Sequence, residues 1–551
     1  MISPLQRLSS SKKRNILVSG IAVIVVAVIG YALISSHAAG FFASVDSTNA
    51  TLSGNATLAS DASLPSGKAI QFGSSDTGST GPGTWPSTPT QVCGNSQVLN
   101  GPATAPAGAI TVPAGNNSNV NFKTAGATYW FAPGVHTLAA DKYGQIEPGS
   151  GSTFVGAPGA ILDGQKINAY AFVQHATNVT IKYLTIQNFG PAGTNNNEGV
   201  VNHDAGHGWV IQNNTVKNNA GAGVFVGSGD KVLNNCLTSN GQYGFSAYED
   251  AGVSNVELTG NEISYNNTDN WEAVYDGCGC TGGGKFWSTT GATVKGNYIH
   301  HNKSVGVWAD NNNSGFLIEG NYISDNDDVG IAYETSYNAQ IQNNAIIHNA
   351  IVAGPGNPGF PTGAIYVSES GADSRVATAY NSTLNITGNL IQDNWSGVVL
   401  FENADRYCGS PANTSTGECT LVNPSVIKES TCNSTNISKA PYYDDCRWKT
   451  KNVKITKNTF KSTPANISPK CSFSTSCGQN AIFSNYGTYP SWSPYKGNII
   501  EDAITYKQNN TFADNTYVGS WQYLPYEQGN AKTFAQWQAS PYNQDAGSKQ
   551  Q

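Results

Sequence analysis

A short motif that returns every twenty-odd residues constrains this chain more than any other feature. It reads small or polar residue, Asn, any residue, then an aliphatic or aromatic one. It occurs as "NNTV" at Asn214, "NNCL" at Asn235, "GNEI" at Asn261, "GNYI" at Asn297 and Asn321, "NNAI" at Asn344, "GNLI" at Asn389 and "KNTF" at Asn458. From Asn214 to Asn344 the steps are 21, 26, 36, 24 and 23 residues. Strand-length apolar stretches at this period, with no helical stripe, predict a β-solenoid whose turns are short strands joined by bends. Asn tolerates the left-handed backbone that bends need. Repeated at one corner, its amides can stack into a ladder. The longer steps mark loops inserted between turns. Composition agrees: the chain has 60 Gly, and only 12% of its residues are charged, against about 25% in ordinary domains. The net charge is −7 and no basic stripe is visible, which argues against nucleic-acid binding.

Between the Asn positions lies a second recurring element. After a Gly, once an Ala, the chain reads "GVFVG" at Gly223, "GFSAYE" at Gly244, "GGKFWS" at Gly283, "GVWADN" at Gly306, "GIAYET" at Gly330, "AIYVSE" at Ala364 and "GVVLFE" at Gly397. With that first residue as position zero, positions one and three are almost all apolar. Strand side chains alternate between faces, so positions one and three are expected inside the coil and positions two and four outside. "GVVNHD" would extend the series one rung earlier, with His203 at position four.

These repeats resemble the right-handed parallel β-helix, or pectate-lyase-like, superfamily over roughly residues 125–405. "VVNHDAGHGWVIQNN", "CGCTGGGKFW", "YVSESGADSR", "FENADRYCGSPANTSTGECT" and "DCRWKTKNV" are similar to a group of secreted bacterial β-helix repeat proteins and extend the likeness to about residue 521. The resemblance implies an all-β, single-stranded right-handed parallel β-helix and, by analogy, action on polysaccharide. It assigns no activity residue by residue, and fold alone does not fix function.

Neighbouring turns are spaced like sheet strands, about 4.8 Å apart, so equivalent positions stack into columns. The outward position-two column reads Phe225, Ser246, Lys285, Trp308, Ala332, Tyr366, Val399. Position four reads Gly227, Tyr248, Trp287, Asp310, Glu334, Ser368, Phe401, and position five, at the bend, Ser228, Glu249, Ser288, Asn311, Thr335, Glu369, Glu402. Asp310 and Glu334 then sit about 5 Å apart and repel by roughly 3 kcal/mol at an effective dielectric near 20. Three arrangements would offset this: one acid holds a proton, Lys285 lies between them, or calcium bridges Asp310, Asn311 (or Asn312) and Glu334.

Each arrangement is a route to catalysis. In a lyase, Lys285 acts as base or charge stabiliser beside a uronate carboxylate. In a glycoside hydrolase, Asp310 and Glu334 form the acid/base pair, adjacent-turn spacing favouring retention. In an epimerase, a proton is taken from one face and returned to the other. Tyr248, Trp287, Trp308 and Tyr366 are the expected sugar platforms, and His203, Glu249, Glu369 and Glu402 extend the expected binding surface. The lyase reading comes first, then the hydrolase, then the epimerase. The alternatives from other classes are a non-catalytic glycan-binding adhesin and a purely structural solenoid.

The remaining features bound the setting. Lys12, Lys13 and Arg14 precede an uncharged apolar run over residues 16–34, long enough to cross a bilayer with the bulk of the chain outside. The expectation is a single-pass anchor in residues 1–40; the small residues at Ser36-His37-Ala38 keep signal cleavage open, which would make the protein secreted. Residues 41–73 alternate weakly, as a short β segment or stalk, and 74–90 form a Gly/Ser/Thr/Pro linker. Residues 91–551 are expected to be one β-helix domain, a monomer. Ten Cys in an oxidising compartment predict disulfides, six of them in a period-breaking insertion over residues 406–480 that either roofs the groove or caps the coil. His300 and His301 are expected on another face, and Asp373 with Arg375 in a loop as an internal ion pair or an anion site. "SDNDDVG", with Asp325, Asn326, Asp327 and Asp328, reads as a polar turn or a calcium loop.

Overall fold

The computed structural model describes residues 56–60, 68–72, 84–190, 199–274, 279, 281–412, 427–485, 487 and 489–551. The expected membrane helix at 16–34 lies outside them, as do Cys278, Cys280 and Cys419. No helix among the described residues is long and apolar enough to cross a membrane. Ala56–Ser60 pairs antiparallel with Lys68–Phe72, within the expected short β segment and in a unit separate from the solenoid.

The rest is a parallel solenoid. Among the described residues its strands form three sheets of 15, 14 and 9 strands, here the first, second and third sheets. One turn shows the pattern. Thr293–Lys295 lies in the first sheet, Tyr298–His300 in the second and Val307–Asp310 in the third, and Ser314–Glu319 returns to the first. The alternation behaves as expected. Val307, Ala309, Phe316, Ile318 and Ile299 are wholly buried inside the coil, and the interior Phe245, Phe286 and Phe316 rings follow one another with centroids 5.0 Å apart. Gly284, which breaks the apolar pattern at position one, is required by this stack: a Cβ there would lie 1.9 Å from the Phe245 ring.

Asn side chains hold the corners between turns, in two ladders where one was expected. Asn214, 235, 261, 297, 321, 344, 389, 458 and 515 form the first, each donating its backbone N–H and its Nδ2 to the Oδ1 of the next. A second ladder runs five residues later through Asn219, 240, 266, 302, 326, 349 and 394. The left-handed bend falls on the residue before each ladder Asn, not on the Asn itself. Gly296, Gly320, Gly388, Asn213, Asn234, Asn343 and Lys457 have positive φ before the first ladder, and Tyr265, His301, Asp325 and His348 before the second. This is why the motif begins "GN" or "NN".

The expected 406–480 insertion resolves into two excursions. Val453–Thr456 and Thr459–Ser462 form a regular turn between them, with Asn458 in its ladder. The first excursion packs on the flank of the coil around Trp448, Tyr407 and Tyr495, tied by Cys432–Cys446. The second covers Trp395 and is tied by Cys471–Cys477. A third disulfide, Cys93–Cys236, ties the N-terminal segment to the second sheet, and no described cysteine is free. The C-terminal end is closed by Phe534–Gln538 and the buried Asp545, which accepts from Trp537 Nε1 and the Tyr517 hydroxyl at 2.8 and 2.9 Å.

The ladders predict a large local penalty. Asn297→Ala removes acceptors from Asn261 N and Nδ2 (2.8 and 3.0 Å) and a donor to Leu258 O (2.9 Å). Unmatched buried groups of this kind cost about 1–3 kcal/mol each. The variant is expected to lose at least about 2 kcal/mol of stability in denaturant melts, whereas substitution of the exposed Lys295 should cost under about 0.5 kcal/mol.

Candidate functional site

Strand pairing in the third sheet confirms the predicted columns. Ser246 pairs with Lys285, Lys285 with Trp308, Trp308 with Ala332, Ala332 with Tyr366 and Tyr366 with Val399. In the next column Trp287 pairs with Asp310 and Glu334 with Ser368. Directed out of the coil is not the same as exposed, however. Tyr248 is 43% exposed, but Trp308 is 3% and Tyr366 1% exposed. The connection leading to Gly363–Ser368 lays Phe360 over Tyr366, Phe401 and Phe483, at centroid distances of 6.2, 5.2 and 5.2 Å. Trp308 and Tyr366 therefore belong to a second apolar layer outside the coil and are not sugar platforms. Among the described residues the face is most open around Tyr248, which is exposed, and Trp287 and Lys285, which are partly so, whereas Phe225 and Ser246 before them are buried.

His203 also departs from the expected register. Val201, not Val200, bridges Val224, so His203 falls one position short of the column. The left-handed Asn202 ends the strand there, and its side chain turns inward to Gly206 and Asp230. The His203 ring stacks on Tyr170 with centroids 3.4 Å apart. The histidine that reaches the column is His207, which sequence reasoning passed over. Its Nε2 lies 3.1 Å from both Glu249 carboxylate oxygens.

In this most open stretch Lys285 Nζ donates to Asp310 Oδ2 at 2.7 Å and to Gly279 O at 2.6 Å. It sits 4.3 Å from the Trp308 ring centroid and 5.3 Å from that of Trp287. Only 11% of the lysine side chain and 8% of Asp310 are exposed. A carboxylate and two aromatic faces thus surround the ammonium. The bend after it, "DNNNSG", is built to carry the load. Asn311 and Asn312 take left-handed backbone, and Asn313 Nδ2 bonds the Asp310 carbonyl at 2.5 Å.

Asp310 and Glu334 each have a cation in direct contact, while the Asp310 charge still bears on Glu334. The Arg406 guanidinium donates to Glu334 Oε1 and reaches Glu369 Oε2 at 3.4 Å, and Trp308 Nε1 donates to Glu334 Oε2 at 3.2 Å. Farther along, Arg447 pairs with Glu402, which also accepts from Gln508 Nε2 at 2.7 Å. Glu334, Glu369 and Glu402, expected to catalyse or to bind substrate on an outward surface, are thus buried and matched by cations. Lys285 and Arg406 supply positive charge that the sequence reading shared with calcium. Among the described residues no cluster of three or more His, Cys, Asp or Glu is placed to hold a metal ion. Arg406 and Arg447 were missed because they come from the first excursion. The signal was a column of acids with no cation of its own.

The other candidates resolve as structural. His300 lies on the second sheet and contacts Glu262 Oε1 at 3.2 Å. Glu262 Oε2 accepts the Val92 and Cys93 amides at 2.7 and 2.8 Å, which latches the N-terminal segment. Asp373 pairs with Arg375 at 2.7 Å. In "SDNDDVG", Asn326 is a ladder member and Asp325 contacts His348 at 2.7 Å.

Residues 198–378 match the family model described as right handed beta helix region, and the solenoid of which they are part is a right-handed parallel β-helix. No curated protein matches it. Among solved structures it is similar to the A-module of the mannuronan C-5 epimerase AlgE4 of Azotobacter vinelandii, with 14% identity, 65% of this chain and 88% of that one covered, and a TM-score of 0.39. It is also similar to the catalytic unit of a GH87 alpha-1,3-glucanase from Streptomyces thermodiastaticus, with 13% identity, 82% and 70% covered and a TM-score of 0.41. For the pectate lyase Pel9A the values are 14% identity, 62% and 68% covered and a TM-score of 0.26.

The covered carboxylates titrate in an unusual direction. Burial, opposed by Arg406, raises the Glu334 carboxyl and brings Glu369 from 4.5 up to about 7. A carboxyl raised on folding binds its proton more tightly in the folded chain, so its contribution to stability is present at low pH and is lost as pH climbs from about 4.5 to 7. Glu369→Gln removes that loss. Its melting temperature, relative to wild type, is expected to rise as buffer pH goes from about 5 to about 8. A difference that stays flat over this range would mean that Glu369 is already ionised at the acidic end.

Proposed function

We propose that this chain acts outside the cytoplasm on an acidic, uronate-containing polysaccharide, as a lyase ahead of a hydrolase or an epimerase. The observation that carries the reading is the Lys285–Asp310 pair in the most open stretch of the third sheet, 2.7 Å apart and bounded by Trp287. A uronate carboxylate approaching Lys285 would replace Asp310 as its counter-ion. Asp310, released from the bridge, would take the proton beside that carboxylate. The electron pair of the broken C–H bond would form the double bond, the bond to the glycosidic oxygen would break, and water would protonate the leaving oxygen. Trp287 and Tyr248 would stack on the sugar rings. This ranks the lyase above a hydrolase built on Asp310 and Glu334, because Glu334 is 1% exposed and engaged by Arg406. The basic and apolar N-terminal sequence and the disulfides support an extracytoplasmic location, anchored or released.

A second reading, glycan binding without turnover, is favoured by one observation: Lys285 already has two oxygen partners, Asp310 and Gly279.

One assay separates the two. The purified full chain is offered uronate-containing and neutral polysaccharides, with calcium or chelator, while ultraviolet absorbance and reducing ends are followed. Wild type should generate absorbance on a uronate polymer, and Asp310→Asn and Lys285→Gln, assayed at a temperature where circular dichroism shows each variant folded, should lower the rate by about 10²-fold or more. Reducing ends without absorbance would favour hydrolysis. Retention of the polymer with neither signal would leave the binding reading.

A further inference from the structure

We infer that a second site, separate from Lys285 and sharing no residue with it, binds a carboxylated sugar on the flank of the coil. It lies between the first excursion and the helical segment over residues 499–507. Two cavities of about 430 and 230 Å³ occur there and share Asp444, Arg447, Lys449 and Lys451. The larger is within the usual size range of small-ligand sites.

Its charge is one-sided. Arg447, Lys449, Lys451 and Lys507 line the larger cavity against one carboxylate, Asp444, which Lys449 engages at 2.6 Å, in a chain whose net charge is −7. The acids of the smaller cavity are consumed by ion pairs. Asp373 takes Arg375 and Lys451 at 2.7 and 2.6 Å, and Asp445 takes Arg375 at 2.5 Å. These cations hold the Asp373 carboxyl well below the usual range against the opposing effect of its burial. Lys507 is 69% exposed and only loosely tied to Asp502, at 3.8 Å, so it can turn to a ligand.

Arg447 supplies an independent pointer to an anion. It is 3% exposed, it pairs with Glu402 through Nη2, and its guanidinium lies 4.7 Å from the Tyr495 ring centroid. Its buried Nε has no hydrogen-bond acceptor among the described residues. A buried guanidinium N–H left unmatched is costly, and the same side chain lines both cavities. The other walls suit a sugar rather than a bare ion. Tyr443 and Ile499 offer apolar surface to a ring face, and Gln508 and Asn509 offer amides to hydroxyls.

Hydrogen–deuterium exchange on the full chain tests this locally. The probes are a galacturonic acid trisaccharide, a galactose trisaccharide and inorganic sulfate. The acidic trisaccharide should slow exchange in peptides covering residues 443–452 and 499–509, and the galactose trisaccharide should not. Lys449→Ala with Lys507→Ala, both partly exposed and away from the coil interior, should weaken the half-saturating concentration about tenfold, a loss of about 1.4 kcal/mol, at unchanged melting temperature. Protection only around Lys285, equal protection by the neutral trisaccharide, or wild-type affinity in the double variant would each overturn the site. Sulfate protecting as well as the acidic sugar would reduce it to an anion hole and overturn the sugar assignment. The readout is equilibrium protection at named peptides, so inactivity of the Lys285 site leaves it intact.

Discussion

The hydrogen bond from the backbone N–H of one corner asparagine to the side-chain oxygen of the next is the contact on which the rest of this molecule depends. A bend that turns the chain by about a third of a circle leaves peptide groups that neither flanking strand can pair, and buried peptide groups need partners. Asn321 shows the solution. Its N–H and Nδ2 both go to Asn344 Oδ1 at 2.9 Å, and Nδ2 also bonds Val294 O at 2.9 Å. The ladder therefore locks successive corners into one line. Once the corners are in line, every strand position repeats at the sheet spacing, and a side chain's neighbours are decided by its distance from the corner. Insertions of any length are tolerated provided the next corner is regained, as in the step of 69 residues from Asn389 to Asn458.

Stacking in register has an electrostatic consequence. Like residues at one position become near neighbours, and the bend after the third sheet carries acids turn after turn. Solvent cannot dilute that repulsion where the bend is covered, so each acid is matched from outside the column: Asp310 by Lys285, Glu334 and Glu369 by Arg406, Glu402 by Arg447. Removing one partner would leave a buried charge, the expensive case. The first excursion thus cannot be a passive ornament, because it carries the two guanidinium groups that let the covered half of the column exist.

The coil was legible because its signals are local. A period-two alternation beside a recurrent Asn is enough to predict the strands, their inward faces and the columns, and the pairings of Lys285 with Trp308 and of Trp287 with Asp310 follow. The second ladder was equally available, since Asn recurs five residues after nearly every first-ladder Asn, but those positions end a strand and carry no apolar neighbour that marks them. His203 failed for a different reason: one left-handed residue, Asn202, shortens the strand and moves the register by one. What alternation cannot report is a second layer. Trp308 and Tyr366 point away from the coil as predicted, yet Phe360, from a connection with no repeat of its own, covers their layer. Contacts between distant, non-repeating segments leave no periodic trace.

The placement of the excursions also explains where chemistry is possible. The connection that carries Phe360 and the first excursion that carries Arg406 both follow Glu334 in the chain, and together they cover the third sheet at Trp308 and Tyr366, whereas Tyr248 on an earlier turn is exposed. Lys285 and Asp310 stand at that boundary. Toward the N-terminal side lie Trp287, the exposed Tyr248 and the His207–Glu249 pair. Toward the other side lie packed rings and a matched charge column. In the proposed function, a polymer reaching Tyr248 and Trp287 would meet the covered stretch at Lys285, with aromatic surface behind it and a charged bridge at its end. Among the described residues of the third sheet, a lysine held by a carboxylate beside a partly exposed aromatic ring occurs at this edge, whereas along the covered stretch Arg406 pairs with acids that solvent scarcely reaches.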